Sequence, residues 1–169
     1  RIHVIDLFRW VLGEFSEVQG VTASLVWKAP VEDNAFAIFR SPKDQIASLH
    51  ASWTQWKNIF LFEVFGERGA LVVEGLGKSY GTESLTVYRR SEKGGPPQEE
   101  HFEYSGPDHS WNFQWHEFRD AIRDNTPVSV GPADGLSAII LAEAVYEAAR
   151  SASVVHLPQD GNKVHHAAI

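Results

Sequence analysis

The chain has 169 residues, enough for one folded domain with a hydrophobic core. Fifteen Lys and Arg stand against 22 Asp and Glu, and the net charge of -7 argues against nucleic-acid binding as the main task. Cysteine is absent, which excludes disulfides and cysteine-ligated zinc. The sequence shows neither an apolar run of about 18 residues nor a cleavable leader. We therefore expect a cytoplasmic protein without membrane contact.

The chain opens with an amphipathic helix pattern over Ile2–Leu12, and Gly13 follows as a natural stop. One side of this helix is apolar. The other side carries His3, Asp6, Arg9 and Trp10. Because the chain starts without methionine and within a helix pattern, we expect it to be the back half of a larger enzyme.

Seven short strand patterns follow, at 18–28, 34–40, 45–53, 58–65, 70–74, 84–90 and 99–104. Their sequential order favours one large antiparallel sheet. The fourth pattern is apolar on both faces, so its second face needs cover, either from the same face of a second subunit or from within the chain.

The glycine-rich segment 75–81 (GLGKSYG) ends like a phosphate-binding P-loop. That motif requires a glycine where this chain has Val72, and it requires a helix directly afterwards. A strand pattern follows instead, so the segment predicts a turn between strands.

Two helix patterns, at 109–125 and 133–151, precede a short last strand at 154–157. We expect the apolar stripe of the first, formed by Trp111, Trp115, Phe118 and Ile122, to face the core. The predicted fold is α+β over residues 1–158: a large, mostly antiparallel sheet with helices packed on one face, and a tail at 159–169.

The eight histidines do not form a zinc-protease pattern, and we predict no metal site. Trp53 and Trp56 end a strand next to Lys57, where a binding site can lie, and aromatic side chains there can stack on the apolar face of a sugar.

His3 and Asp6 are three residues apart and share one helix surface. In one interpretation, Asp6 stabilises the start of the helix and His3 is a polar rim residue. In the other, His3 transfers a proton, because an imidazole ordinarily titrates near neutral pH, and Asp6 orients it or binds a substrate hydroxyl. The spacing alone leaves both open.

The stretch IHVIDLFRWVLGEF resembles the helix that opens the second domain of the glucose–fructose oxidoreductase / inositol dehydrogenase family, also called Gfo/Idh/MocA. FEVFGERGALVVEGL, WHEFRDAI and GPADGLSAIILAEAVYEAARSASVVHLP resemble later elements of the same domain, in the same order. The resemblance implies the C-terminal domain of a two-domain dehydrogenase of the dihydrodipicolinate-reductase-like type. Its N-terminal Rossmann domain, absent here, would bind NAD or NADP.

The resemblance also implies hydride transfer between a nicotinamide and a secondary alcohol of a sugar, polyol or nucleotide-linked sugar. His3 matches the family's catalytic histidine, and Asp6 matches a position that contacts substrate hydroxyls. The aspartate that normally accompanies the histidine, four residues earlier, would fall before Arg1.

We add Trp10 and Lys57 as candidate substrate-binding residues, and we expect no cofactor-binding residue in this chain. A homo-oligomer through the open sheet face is expected, and the chain alone should be inactive. The alternative is a non-catalytic dimerising or ligand-binding domain of the same fold.

Overall fold

A computed structural model describes residues 2–158, so the tail expected at 159–169 lies outside the described residues. The elements in chain order are α1 (Ile2–Leu12), β1 (Glu17–Ala23), β2 (Asn34–Arg40), β3 (Ile46–Ser52), β4 (Leu61–Gly66), β5 (Gly69–Glu74), β6 (Glu83–Arg89), β7 (Gln98–Tyr104), α2 (Ser110–Asp124), α3 (Pro132–Ser151) and β8 (Val155–His156). The predicted α+β class with antiparallel strands is confirmed.

The chain divides into two compact units, and each has its own four-stranded sheet. The first unit runs up to Thr54 and resumes at Ser129, whereas the second is Gln55–Val128. We expected one large sheet, but among the described residues β3 pairs with β2 and not with β4. The chain turns between β3 and β4 at Trp56, whose φ of +56° is left-handed.

In the first unit the strand order is β3-β2-β1-β8, and α1 and α3 pack on one face of this sheet. Phe8 and Phe15 both contact the fully buried Phe39, with ring centroids 5.9 and 5.4 Å away. The backbone of α3 comes so close to β1 that a Cβ on Gly20 would lie 2.6 Å from the carbonyl oxygen of Val145. The expected packing of helices on one sheet face is confirmed in this unit.

The first strand is shorter than we expected, because it ends at Ala23 instead of reaching residue 28. The next amides turn away from the sheet: those of Leu25, Val26 and Trp27 all donate to the carboxylate of Asp33. A local side-chain acceptor therefore replaces the strand partner, although the β-branched composition favours an extended strand.

The second unit has the strand order β4-β5-β6-β7 and contains α2. The segment 75–81 connects β5 to β6, so the predicted turn is confirmed, and Gly75, Gly77 and Gly81 adopt positive φ there. The helix α2 ends as expected at Asn125, which is left-handed with φ of +51°.

The apolar stripe of α2 does not face a core, and our expectation was wrong on this point. Its large side chains are between 51% and 78% exposed: Trp111, Trp115, Phe118 and Ile122. A helical period shows which side chains lie together, but not which surface covers them. No described helix is long and apolar enough to cross a membrane.

Candidate functional site

The exposed side of α1 places three of the predicted site residues together. Positions 3, 6 and 10 fall within a narrow arc of the helix, since each residue turns it by about 100°. His3 on the first turn is exposed, Asp6 is half-buried, and Trp10 is 83% exposed. The helix therefore presents an imidazole, a carboxylate and an indole on one surface.

Arg9 lies three residues after Asp6, on the neighbouring part of the helix surface, and forms an ion pair with the Asp6 carboxylate. Its Nη1 atom lies 3.5 Å from Asp6 Oδ1, and its side chain is only 11% exposed. The same guanidinium donates to Glu14 and lies 3.7 Å from Asp134 Oδ1 at the start of α3. The hydrogen bond to Glu14 raises the pKa of Arg9, and the charges of Glu14, Asp134 and Asp6 act in the same direction against the lowering effect of burial.

This arrangement bears on the two interpretations of His3 and Asp6. Asp6 is paired with Arg9, so its carboxylate is oriented by the guanidinium. Among the described residues, the side chain of His3 has no hydrogen-bond or ion-pair partner. An exposed imidazole can exchange protons with a bound molecule, and a held carboxylate can accept hydroxyl hydrogen bonds.

Lys57 lies in the second compact unit, in the bend that precedes β4, and its side chain is exposed. The helix α1 belongs to the first unit, and the part of Lys57 in substrate binding stays a prediction.

A buried carboxylate that we did not predict organises the loop between β1 and β2. Asp33 is 3% exposed and accepts hydrogen bonds from the amides of Leu25, Val26 and Trp27 at 2.8, 2.7 and 2.9 Å. These bonds, led by that of Leu25, hold the pKa of Asp33 well below its usual range against the opposing effect of burial. The only sequence signal was an acidic residue directly before an alternating strand.

The neighbouring Asn34 extends this polar cluster to the end of β3. Its Nδ2 atom donates to Asp33 Oδ1 and to Thr54 Oγ1, both at 3.0 Å. Its Oδ1 atom lies 3.4 Å from Nε2 of His50, whose ring stacks on Phe36 at 4.2 Å. The end of β3 and the start of β2 are thus joined through side-chain hydrogen bonds as well as through their antiparallel backbone pairing.

Residues 2–158 contain neither a metal-ligand cluster nor a parallel βαβ unit. No group of three or more His, Cys, Asp or Glu side chains in that range is positioned to hold a metal ion. All strand pairs described are antiparallel, and the βαβ unit of a dinucleotide-binding fold needs parallel strands.

Solved structures share this fold over nearly the whole chain. A levoglucosan dehydrogenase in complex with NADH is 22% identical with a TM-score of 0.79, over 94% of this chain and 49% of its own. The WlbA dehydrogenase from Bordetella pertussis, in complex with NADH and UDP-GlcNAcA, is 21% identical with a TM-score of 0.68, over 94% of this chain and 44% of its own. The aldose-aldose oxidoreductase from Caulobacter crescentus, complexed with glycerol, is 23% identical with a TM-score of 0.77, over 92% and 45%.

The chain therefore has the fold of a domain found in oxidoreductases, and it spans about half the length of these structures. Residues 1–72 match the family model described as the GFO/IDH/MocA C-terminal domain. The resemblance to this family is confirmed over residues 1–72, which is less than half of the 169-residue chain. None of the curated proteins is similar enough in sequence to count as a relative.

Proposed function

We propose that residues 1–158 are the substrate-binding and oligomerisation domain of a cytoplasmic NAD(P)-dependent oxidoreductase. Its substrate would carry a secondary alcohol on a sugar, a polyol or a nucleotide-linked sugar. The observation that carries the proposal is the exposed first turn of α1, which presents His3 beside the held carboxylate of Asp6 within the stretch that matches the family. Similar structures were solved with levoglucosan and with UDP-GlcNAcA, which supports a sugar-like substrate.

A nicotinamide bound by another domain would supply the hydride chemistry. The task of this chain is then to move the proton and to orient the alcohol. His3 accepts the hydroxyl proton during oxidation, as an imidazole can at neutral pH. Asp6 accepts a hydrogen bond from a neighbouring substrate hydroxyl, Trp10 offers a flat apolar surface, and Lys57 donates to an oxygen of the substrate.

The second sheet offers a surface for a second copy of the chain. The strand registers place seven apolar side chains on one face: Phe62, Val64, Leu71, Val73, Leu85, Val87 and Phe102. None of them is fully buried, and Leu71 and Phe102 are among the exposed large apolar residues. Because a two-fold interface uses the same surface on both subunits, this face can cover its own copy.

Turnover by the longest gene product that contains this chain tests the proposal, with NAD⁺ and NADP⁺ and a panel of sugars and polyols. We expect His3→Ala to lower kcat by about 100-fold or more, which is the usual contribution of a general base. Trp111→Ala is the control, since it removes an exposed aromatic side chain from the second unit. Unchanged turnover by the His3 variant would refute the assignment.

A second candidate function is a non-catalytic domain that dimerises or binds a ligand. The pairing of Asp6 with Arg9 favours it, because the carboxylate is already committed to a structural partner. In that case neither His3→Ala nor Asp6→Asn changes the turnover of any substrate in the panel. Both variants also keep ligand binding or self-association.

A further inference from the structure

Three carboxylates share the guanidinium of Arg9, and it binds them unequally. Glu14, two residues after the end of α1, accepts hydrogen bonds from Nη2 and, at 3.3 Å, from Nε. This two-point geometry is the strongest pairing that a carboxylate and a guanidinium form. The third nitrogen, Nη1, is left for the carboxylates of Asp134 and Asp6.

Asp134 is held in place by its own helix, independently of Arg9. Its Oδ2 atom accepts a hydrogen bond from the amide of Gly131 at 2.9 Å, at the start of α3. Its backbone carbonyl accepts a hydrogen bond from Arg9 Nη1 at 3.3 Å, and its Oδ1 atom lies 3.7 Å from the same nitrogen. The first turn of α3 therefore competes with Asp6 for Nη1.

Asp6 is the carboxylate that Arg9 binds least directly. Its Oδ1 atom lies 3.5 Å from Nη1, well beyond the separation of about 2.7–2.9 Å in a charge-assisted hydrogen bond. Among the described residues, this ion pair is the only polar contact of the Asp6 side chain, which is 39% exposed. Because a carboxylate offers about four acceptor sites, those of Asp6 stay open to hydrogen bonds from a ligand.

We propose that Glu14 and Asp134 are positioning residues of the candidate site, because together they keep Arg9 from closing on Asp6. With both in place, the charge of Arg9 orients the Asp6 carboxylate while its oxygens stay available to a substrate hydroxyl. When either is lost, Nη1 hydrogen-bonds directly to Asp6 and takes up acceptor sites on the helix surface that also carries His3. The role of Asp6 towards a hydroxyl rests on the proposed function, whereas the sharing of Arg9 rests on the contacts above.

Crystal structures of the longest gene product that contains this chain test the sharing directly. Glu14→Gln removes the charge of a side chain that is 67% exposed, and Asp134→Asn keeps an oxygen for the amide of Gly131. We expect the separation of Arg9 Nη1 and Asp6 Oδ1 to shorten from 3.5 Å to about 2.8 Å in Glu14→Gln, and by a smaller amount in Asp134→Asn. An unchanged separation in both variants would overturn the proposal.

The kinetic test uses the sugar or polyol of the panel that the parent oxidises with the highest kcat/KM. Glu14→Gln should raise KM by about three- to tenfold, the usual contribution of one hydrogen bond, and should change kcat by less than about twofold. In the Asp6→Asn background the same substitution should leave KM unchanged, because Glu14 acts through Asp6. A general disturbance of the structure raises KM in both backgrounds, so equal effects there would rule out the positioning role.

Glu17→Gln is the matched control, since it removes the same charge from an ion pair with Arg40, and it should alter neither KM nor the contacts of Arg9. If no member of the panel is oxidised, or if turnover does not depend on His3, the proposed function fails, and the crystal structures still decide how Arg9 is shared. Turnover that depends on His3, with a KM that Glu14→Gln leaves unchanged, refutes the positioning role alone.

Discussion

Arg9 of α1 joins Asp134 at the start of α3: the two side chains approach to 3.7 Å, and Arg9 also donates to the backbone carbonyl of Asp134 at 3.3 Å. The residues are 125 positions apart in the chain. The same guanidinium lies beside Asp6, so the placement of the candidate site on α1 depends on a contact with the other end of the domain.

Replacement of Arg9 by methionine should therefore destabilise the chain. The guanidinium of Arg9 is only 11% exposed, and its removal leaves the carboxylates of Glu14, Asp134 and Asp6 without their shared cation. We expect a loss of about 2 kcal/mol in the free energy of unfolding. Urea denaturation followed by tryptophan fluorescence measures it. Arg40→Met is the matched control, because Arg40 is 46% exposed and its pairs with Glu17 and Asp44 should contribute less than about 1 kcal/mol. Equal losses in the two variants would contradict this account.

The close packing of α3 on β1 predicts opposite effects for two glycines. A Cβ at Gly20 would lie 2.6 Å from Val145 O and 2.9 Å from its Cγ1, so Gly20→Ala should cost about 1–3 kcal/mol through overpacking. Gly135 lies within α3 with no atom inside 4 Å of the added carbon, so Gly135→Ala should stabilise by up to about 1 kcal/mol. Thermal unfolding of both variants should move the melting temperature in opposite directions, and a shift of the same sign in both would contradict the packing argument.

The elements themselves were largely predictable from the sequence. The bounds of α1 and β2 agree with the patterns, since a 3.6-residue period and a strict alternation are local properties. The end of β1 was not predictable, because it depends on a carboxylate ten residues further along, at Asp33. A side chain that binds three amides leaves no periodic trace in the sequence.

The arrangement of the candidate site residues on α1 was also predictable from the sequence. His3, Asp6 and Trp10 share the exposed side of one helix, as their spacing indicates. The partner of Asp6 was missed, although Arg9 is at the favourable i,i+3 spacing, because several carboxylates compete for one guanidinium and only the fold decides which meet it. Strand pairing and the exposure of the apolar stripe of α2 depend on long-range contacts, which a local pattern does not contain.

The proposed oligomer predicts which side of the second sheet tolerates charge. Leu71→Glu and Phe102→Glu place a carboxylate on the apolar face, and we expect them to convert a dimer into a monomer in sedimentation experiments. The control is Leu61→Glu, which lies on the opposite face next to Glu74 and is 52% exposed. A monomeric parent chain, or a dimer that survives both changes on the apolar face, would rule out this interface.

Asp33 predicts a pH-dependent contribution to stability with a definite sign. Its pKa in the folded chain lies below the value near 3.9 that an unfolded aspartate has. A lowered pKa means that the ionised form stabilises the fold above the unfolded value, and that this stabilisation is lost as the pH falls through the folded one. Asp33→Asn lacks the charge at every pH. The difference in the free energy of unfolding between parent and variant should therefore be constant from pH 7 to about 5 and should shrink below about pH 4.

The measurement is urea denaturation of both chains at pH 7, 5.5, 4 and 3. Asp44→Asn is the control, because Asp44 is 85% exposed and its left-handed φ of +60° suits asparagine, so that variant should stay close to the parent throughout. A gap for Asp33→Asn that widens towards acid would mean that the carboxylate is bound less tightly in the fold than in the unfolded chain. The loop that carries Trp27 would then need another anchor, and the bonds from Leu25, Val26 and Trp27 would not explain its conformation.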